Sequence, residues 1–378
     1  MKYITLKGEK LNVDIKNYYE YLSPNYIFVP FLPAYSSKKE SNESVFKEEL
    51  VLKGKNKFYS SVSGRVIGIK EFNNYLNVNS KYLIIENDYK EKYEFKKSIN
   101  KNYLNTKKID LINYLEEYNS CEMNNILDFI KSHEIITNII VIGFDDNLYS
   151  YQNRYYLEED ITKIFDSISL LNQVLDINKS YLLIKDNNSK VINNVVDFEG
   201  TYPDISVNYL PDIYPLSCDA VLKNYTKNYL TENSLVINIE ELLTLFDLIY
   251  RDKYQTDMIV TITDLIKKKV YFCKTKTYVL LANILKDYDP NAVCYINNPL
   301  NSNVVDINTT VIGPEVKSII IDKEMNYIEN PCLNCGKCIE VCPLKLPDLT
   351  SNPACVKCNL CSYMCPSGIN LLKESNHE

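Results

Sequence analysis

The hydrophobic pattern divides the chain into a β-rich beginning and a longer part in which helix and strand patterns alternate. In residues 1 to about 100, short runs of alternating apolar and polar residues are bounded by Pro, Gly and Asn, as is typical of half-buried strands. We predict the clearest of these strands at 26–30, 61–69 and 81–86. The polar stretch 36–44 is predicted to be an exposed loop.

Residues 105–255 show a regular alternation of helical and strand patterns. Apolar residues at helical spacing predict helices at 108–118, 123–133, 158–175 and 240–250. Compact apolar runs predict buried strands at 138–143 and 180–185. Strands that alternate with helices indicate a mostly parallel α/β sheet.

A smaller α+β module is predicted from 256 to about 313. Its apolar runs predict strands at 257–263, 269–273 and 304–312, and these flank a predicted helix at 277–285. The chain is long enough for two to four domains, because a single hydrophobic core stops growing well below 378 residues.

Composition and charge narrow the class of protein. The chain is 46% hydrophobic and 24% charged, and its net charge of −7 argues against a nucleic-acid partner. The longest apolar stretch, 135–144, is too short to span a bilayer, so we expect no transmembrane span in this chain. The first residues lack the apolar core of a signal peptide, and we therefore expect a cytoplasmic location.

Eight of the twelve cysteines lie after residue 331, in two copies of one spacing. The first run contains Cys332, Cys335, Cys338 and Cys342, and the second contains Cys355, Cys358, Cys361 and Cys365. A proline follows the last cysteine of each run, where its fixed φ turns the chain away. This C-x2-C-x2-C-x3-C-P spacing is that of bacterial ferredoxins, in which the fourth cysteine of each run ligates the other cluster.

We therefore predict two [4Fe–4S] clusters with crossed ligation. The first cluster is assigned to Cys332, Cys335, Cys338 and Cys365, and the second to Cys355, Cys358, Cys361 and Cys342. Structural zinc would need two well-separated cysteine pairs, and disulfides would need a secreted chain, so both explain the pattern poorly. The apolar residues expected to shield the clusters from water are Ile339, Val341, Met364 and Ile369.

The other candidate groups give weaker signals. Asp145 and Asp146 could bind a metal ion or a flavin, but a solvated turn after a strand is the favoured interpretation. His133, near a predicted helix end, is predicted to be a surface or boundary residue, and with two histidines in the chain His-based catalysis is not expected. The triple lysine 267–269 is predicted to be a solvated turn. Four cysteines without paired spacing are expected to be small buried hydrophobic residues, namely Cys121, Cys218, Cys273 and Cys294.

The order of these parts resembles the RnfC family, the C-type subunits of the Rnf ion-translocating electron transport complex, over nearly the whole chain. The segments that carry the resemblance are 60–69, 85–88, 311–321 and the two cysteine runs. The resemblance implies a multidomain α/β and β architecture. Its four parts are a barrel-sandwich-like β domain at 1–100, a Rossmann-like α/β domain at 101–255, a β-grasp-like module at 256–315 and a ferredoxin-like dicluster domain at 316–378.

The resemblance also implies a flavin and NADH site in the α/β domain, and there the sequence departs from the family. The family's flavin loop is a run of glycines, because backbone N–H groups must approach a phosphate closely. This chain has Asn-Ser-Cys-Glu-Met-Asn at 119–124 instead, and between Gly68 and Gly313 it has only Gly143 and Gly200. FMN, NADH and an NADH dehydrogenase activity of its own are therefore not expected.

The leading hypothesis is an electron-transfer subunit of a membrane-bound, Rnf-like translocase complex. It would attach peripherally to the cell membrane and relay electrons through its two clusters. Its partners would be integral membrane subunits and a soluble electron donor or acceptor. One alternative is a flavin-dependent NADH:acceptor or cobalamin-type reductase with a non-standard flavin site, and another is a scaffold or assembly subunit of such a complex.

Overall fold

The computed structural model describes residues 11, 13–93, 107–118, 120, 123–323 and 330–374. They form a mixed α/β protein with several sheets and a cysteine-rich C-terminal segment. The predictions for Cys121 and for half of the 119–124 loop, residues 119, 121 and 122, fall outside the described residues. None of the helices that the structure describes has the length and hydrophobicity of a transmembrane span.

The N-terminal region is made of short strands, as the alternating pattern predicts. They are β2 Tyr26–Pro30, β3 Ser36–Ser37, β4 Ser44–Val45, β5 Leu50–Lys53, β6 Lys57–Tyr59, β7 Gly64–Asn73 and β8 Asn79–Asn87. They form a four-stranded sheet in the order β2-β8-β7-β4 and a three-stranded sheet in the order β3-β5-β6. The register of β7 against β8 shifts between Val66 and Gly68, where Gly68 has a φ of 137° that suits a glycine in a bulge. The predicted loop at 36–44 includes β3 and the first residue of β4.

The middle region alternates helices with parallel strands. Its elements are α1 Lys108–Tyr118, α2 Asn124–Ser132, β9 Asn138–Ile142, α3 Gln152–Glu159, α4 Ile161–Leu175, β10 Ser180–Lys185, α5 Ser189–Glu199, β11 Ile205–Leu210, α6 Asp219–Thr226, β12 Ser234–Asn238 and α7 Ile239–Arg251. All strand pairs are parallel, in the order β11-β10-β9-β12. This confirms the predicted parallel α/β sheet. The strand order reverses between β9 and β12, since β10 and β11 follow on one side of β9 and β12 lies on its other side.

The predicted helix at 158–175 is wrong in its first turn. The backbone leaves the helical region at Asp160, where φ is −120° and ψ is 20°. The amide of Asp160 donates to the Tyr156 carbonyl and so ends α3, while the Ile164 amide donates to the Asp160 carbonyl and so begins α4. Two helices therefore replace the single predicted one, and α4 keeps the apolar face that was predicted.

The third region builds a mixed sheet. Its elements are β13 Asp257–Asp264, β14 Lys269–Lys276, β15 Val279–Leu280, α8 Leu281–Ile284, β16 Val293–Ile296, β17 Val311–Ile312 and β18 Ser318–Asp322. A strand near the N-terminus, β1 Tyr18–Tyr21, joins them, and the order is β1-β14-β13-β18-β16. The central pair β13 and β18 is parallel, whereas β14 and β16 run antiparallel to their neighbours in this pair.

Two predictions in this region are corrected. The helix predicted at 277–285 is confined to α8, because Val279 and Leu280 pair with β17 as a strand. The strand predicted at 304–312 is reduced to β17 and two isolated bridges, from Val305 to Cys294 and from Thr310 to Asn73. The three lysines at 267–269 are exposed, as predicted, but Lys269 already begins β14, and the turn before it is closed by a 2.7 Å hydrogen bond from the Lys267 amide to Asp264.

The mixed sheet separates two hydrophobic cores. Ile259 and Phe272 face the helices of the α/β region, while Val260 and Cys273 face the N-terminal strands. This follows from the period of two along a strand, which sends successive side chains to opposite faces. Cys273 and Cys294 are buried among apolar side chains, as predicted, and Cys218 is half-buried.

Candidate metal centre

The two cysteine runs have matching backbones. The residue after the second cysteine of each run is left-handed, with φ of 68° at Gly336 and 60° at Asn359. A short helix follows in both runs, α9 Lys337–Val341 and α10 Leu360–Tyr363. Glycine and asparagine are the residues that adopt this conformation most readily. The sequence repeat is therefore also a structural repeat.

The same repeat places backbone amides beside sulfur atoms. Asn334 and Lys357 occupy matching left-handed positions, and their amides donate to the Sγ atoms of Cys332 and Cys355, each over 3.4 Å. N–H groups that point at sulfur stabilise a thiolate and help to set the reduction potential of a bound cluster. The loop geometry therefore suits deprotonated cysteines.

The structure brings Cys342 of the first run to the first three cysteines of the second run. Cys342, Cys355, Cys358 and Cys361 line one recess. Burial raises the pKa of the Cys358 thiol to about 11, and the other three thiols, which lie close enough to interact with it, contribute to the rise. These four residues are the set predicted for the second cluster.

The rest of the recess is mostly apolar. Its walls are formed by Pro343, Leu344, Leu346, Leu349, Val356, Leu360 and Leu372, with Asn359 as a polar lining residue. Four thiols with amide donors in an apolar pocket fit an iron–sulfur cluster, which needs thiolate ligands and protection from water. Among the described residues, no group of three or more His, Cys, Asp or Glu side chains is arranged to hold a single metal ion.

The first run lies at the surface. Cys332 and Cys335 are exposed, whereas Cys338 is half-buried. The hydroxyl of Ser367, two residues after Cys365, donates to the Pro331 carbonyl over 3.0 Å, so the end of the second run is tied to the start of the first. This contact lies where the predicted crossed ligation needs the two runs to meet.

One of the four predicted shielding residues does not shield. Val341 is buried, and Met364 and Ile369 are half-buried, but Ile339 is 42% exposed. Its side chain is therefore open to solvent. Shielding therefore comes from one face of α9 and from the recess.

Asp145 and Asp146 are not a solvated turn, which corrects the sequence-based interpretation. Asp145 accepts hydrogen bonds from the amides of Asn153 and Arg154 over 3.0 and 3.1 Å and so caps the start of α3. Burial raises the pKa of Asp145, and these hydrogen bonds oppose the rise. Asp146 accepts hydrogen bonds from the amides of Leu216 and Ser217 over 2.6 and 3.1 Å. Both carboxylates therefore hold the chain in place at the carboxyl edge of the sheet.

Other groups at this edge also bind within the chain. Lys185 donates to the Asp145 carbonyl over 3.1 Å and pairs with Asp212 at 3.2 Å. A Cβ on Gly143 would come within 2.8 Å of the Leu183 carbonyl oxygen, so this glycine serves close packing between strands. His133 ends α2 and stacks on Phe129 with ring centroids 3.9 Å apart, at the boundary predicted for it.

Comparisons of this chain with known proteins found similarity only among solved structures, and the sequence identity there is low. A scan against protein-family models and a search of curated proteins found no match. Among solved structures, an NAD+-reducing [NiFe]-hydrogenase matches in its air-oxidized state with a TM-score of 0.41 at 8% identity, and in its H2-reduced state with 0.43 at 9% identity. Each match covers 57% of this chain and 43% of the hydrogenase chain, so this chain spans less than half of that protein's length. A likeness at this level carries no conclusion about function.

Proposed function

We propose that the chain is an electron-transfer protein whose two cysteine runs hold two [4Fe–4S] clusters with crossed ligation. The observation that carries this proposal is the recess in which Cys342 of the first run lies with Cys355, Cys358 and Cys361. Such clusters, when bound, take up and release one electron at a time. Only a crossed arrangement uses a cysteine of one run in the pocket of the other.

The chain's own residues supply the conditions that such a centre needs. The amides at Asn334 and Lys357 stabilise thiolate sulfur. The apolar walls of the recess, Leu346 and Leu360 among them, keep water from the second site. The exposed first run leaves Cys332 and Cys335 within reach of a partner's surface.

We further propose that the chain is a peripheral subunit of a membrane-bound, Rnf-like complex. It would carry electrons between a soluble donor or acceptor and integral membrane subunits. The resemblance of 60–69, 85–88 and 311–321 to the RnfC family supports this proposal. The mixed sheet, with its parallel central pair between antiparallel neighbours, also supports the β-grasp-like module in the predicted order of domains.

Reduction and reoxidation test the electron-transfer proposal. We expect that dithionite bleaches the visible absorbance of the anaerobically purified protein, and that one-electron oxidation by ferricyanide restores it. The matched control is the C355A/C358A double variant, which should bleach with a smaller amplitude because it lacks two ligands of one cluster. Iron-containing protein with unchanged absorbance under dithionite would overturn the proposal.

Isolation from membranes tests the peripheral association separately. The tagged chain should co-purify with integral membrane subunits from detergent-solubilised membranes and should leave the membrane when those subunits are deleted. Recovery of the cluster-loaded chain free of any membrane protein would refute the Rnf-like assembly. It would not contradict the proposal that the chain holds two clusters.

A further inference from the structure

The two cysteine runs share a backbone but differ in their surroundings. In the first run, Leu333 is 67% exposed and two of the cysteines are exposed. In the second run, Asn359 and Leu360 are each 5% exposed, and all four cysteines are half-buried. The difference arises because the body of the protein covers the second run.

A tyrosine from the α/β region holds the backbone at Cys358. The hydroxyl of Tyr214, in the segment between β11 and α6, donates to the Cys358 carbonyl over 3.3 Å. The same hydroxyl accepts a 2.6 Å hydrogen bond from the side-chain amide of Asn298. Tyr214 is therefore fixed by the mixed-sheet region while it binds the second cysteine loop.

An asparagine ties the same loop to the mixed-sheet region directly. The Nδ2 atom of Asn359 donates to the Leu300 carbonyl over 2.7 Å, and the Leu300 amide donates to the Oδ1 atom of Asn298 over 3.0 Å. The first run has Gly336 at the matching position, with the same left-handed backbone but no side chain to make such a bond. The side chain of Asn359 is thus an addition to the shared loop geometry.

We propose that Tyr214, Asn298 and Asn359 are positioning residues that fix the Cys358 loop and keep the second site dry. The consequence is an inner centre of lower reduction potential and an outer centre, at the first run, of higher potential. The reason is that an added electron adds negative charge, which is less stable where water is excluded. This inference rests on the proposed function, because it requires clusters at both runs.

A reciprocal pair of variants tests the role of Asn359. N359G removes the side chain and keeps the left-handed backbone, since glycine already stands at this position in the first run. We expect EPR-monitored redox titration to show an upward shift of the second cluster's midpoint potential and an unchanged first one. The control G336N should move neither midpoint, because a Cβ at Gly336 has no atom within 4 Å. The signal of the second cluster is identified by its absence in C358A.

Y214F provides a second measurement that keeps the aromatic packing. It removes the one hydroxyl that binds the Cys358 carbonyl, and the same upward shift, confined to the second cluster, is expected. Selective loss of the second cluster's signal in N359G would also support the proposal, because the first run is untouched. Unchanged midpoints in N359G and Y214F, or equal shifts of both midpoints, would overturn it. Absence of any cluster signal in the unaltered protein would instead overturn the proposed function.

Discussion

Replacing Cys342 by alanine should remove the second cluster and leave the first, so that the chain keeps about four of about eight iron atoms. The physical reason is the recess, where Cys342 lies with Cys355, Cys358 and Cys361 although it belongs to the other run. Because the remaining three thiols leave one iron without a protein ligand, the cluster becomes labile. Iron and sulfide analysis, together with the EPR spectrum of the reduced protein, measures this loss.

Three further variants test whether Cys342 belongs to the second cluster. The double variant C342A/C358A should lose no more iron than C358A alone, because both substitutions remove ligands of the same cluster. C365A should instead remove the cluster of the first run. C218A is the matched control, since Cys218 packs against the α/β core, and it should keep all the iron. Loss of the first cluster in C342A, with the second intact, would refute the crossed assignment.

Removing the iron should unfold the cysteine-rich segment while the rest of the chain stays folded. Among the described residues of 330–374, only Val341 and Leu360 are buried apolar side chains, too few to stabilise a segment of this size. In such a segment, metal binding supplies folding free energy. The two hydrophobic cores on either side of the mixed sheet are built by residues outside this segment, so their stability does not depend on bound iron.

Hydrogen–deuterium exchange can follow this effect peptide by peptide. After treatment with oxidant and chelator, amides in α9 and α10 should exchange almost as fast as in an unfolded chain. Peptides from β9 and β10 serve as the internal control and should keep their protection, because these strands lie inside the parallel sheet. Equal protection of α9 and α10 before and after iron removal would contradict this expectation.

Local patterns account for the elements that the sequence predicts well. The strands at Tyr26–Pro30 and Ser180–Lys185 and the helix at Lys108–Tyr118 begin and end at the predicted residues. In each of these elements, the regularly spaced apolar residues and the polar residues that flank them lie within one short stretch of sequence. The repeated loop geometry around the cysteines is equally local, since it follows from spacing and from residues that accept a left-handed backbone.

Long-range pairing explains what the sequence misses. Val279 and Leu280 form a strand because β17, about thirty residues later, offers an edge to pair with. Asp146 is a structural residue because it binds amides at Leu216 and Ser217. No spacing rule links Tyr214 with Cys358. The unequal burial of the two cysteine runs could therefore be found only in the folded chain.

If these eight cysteines bind two [4Fe–4S] clusters, metal and sulfide analysis of the anaerobically purified protein will detect both. We expect a brown protein with about eight iron atoms and about eight labile sulfides per chain. Zinc without labile sulfide would contradict it.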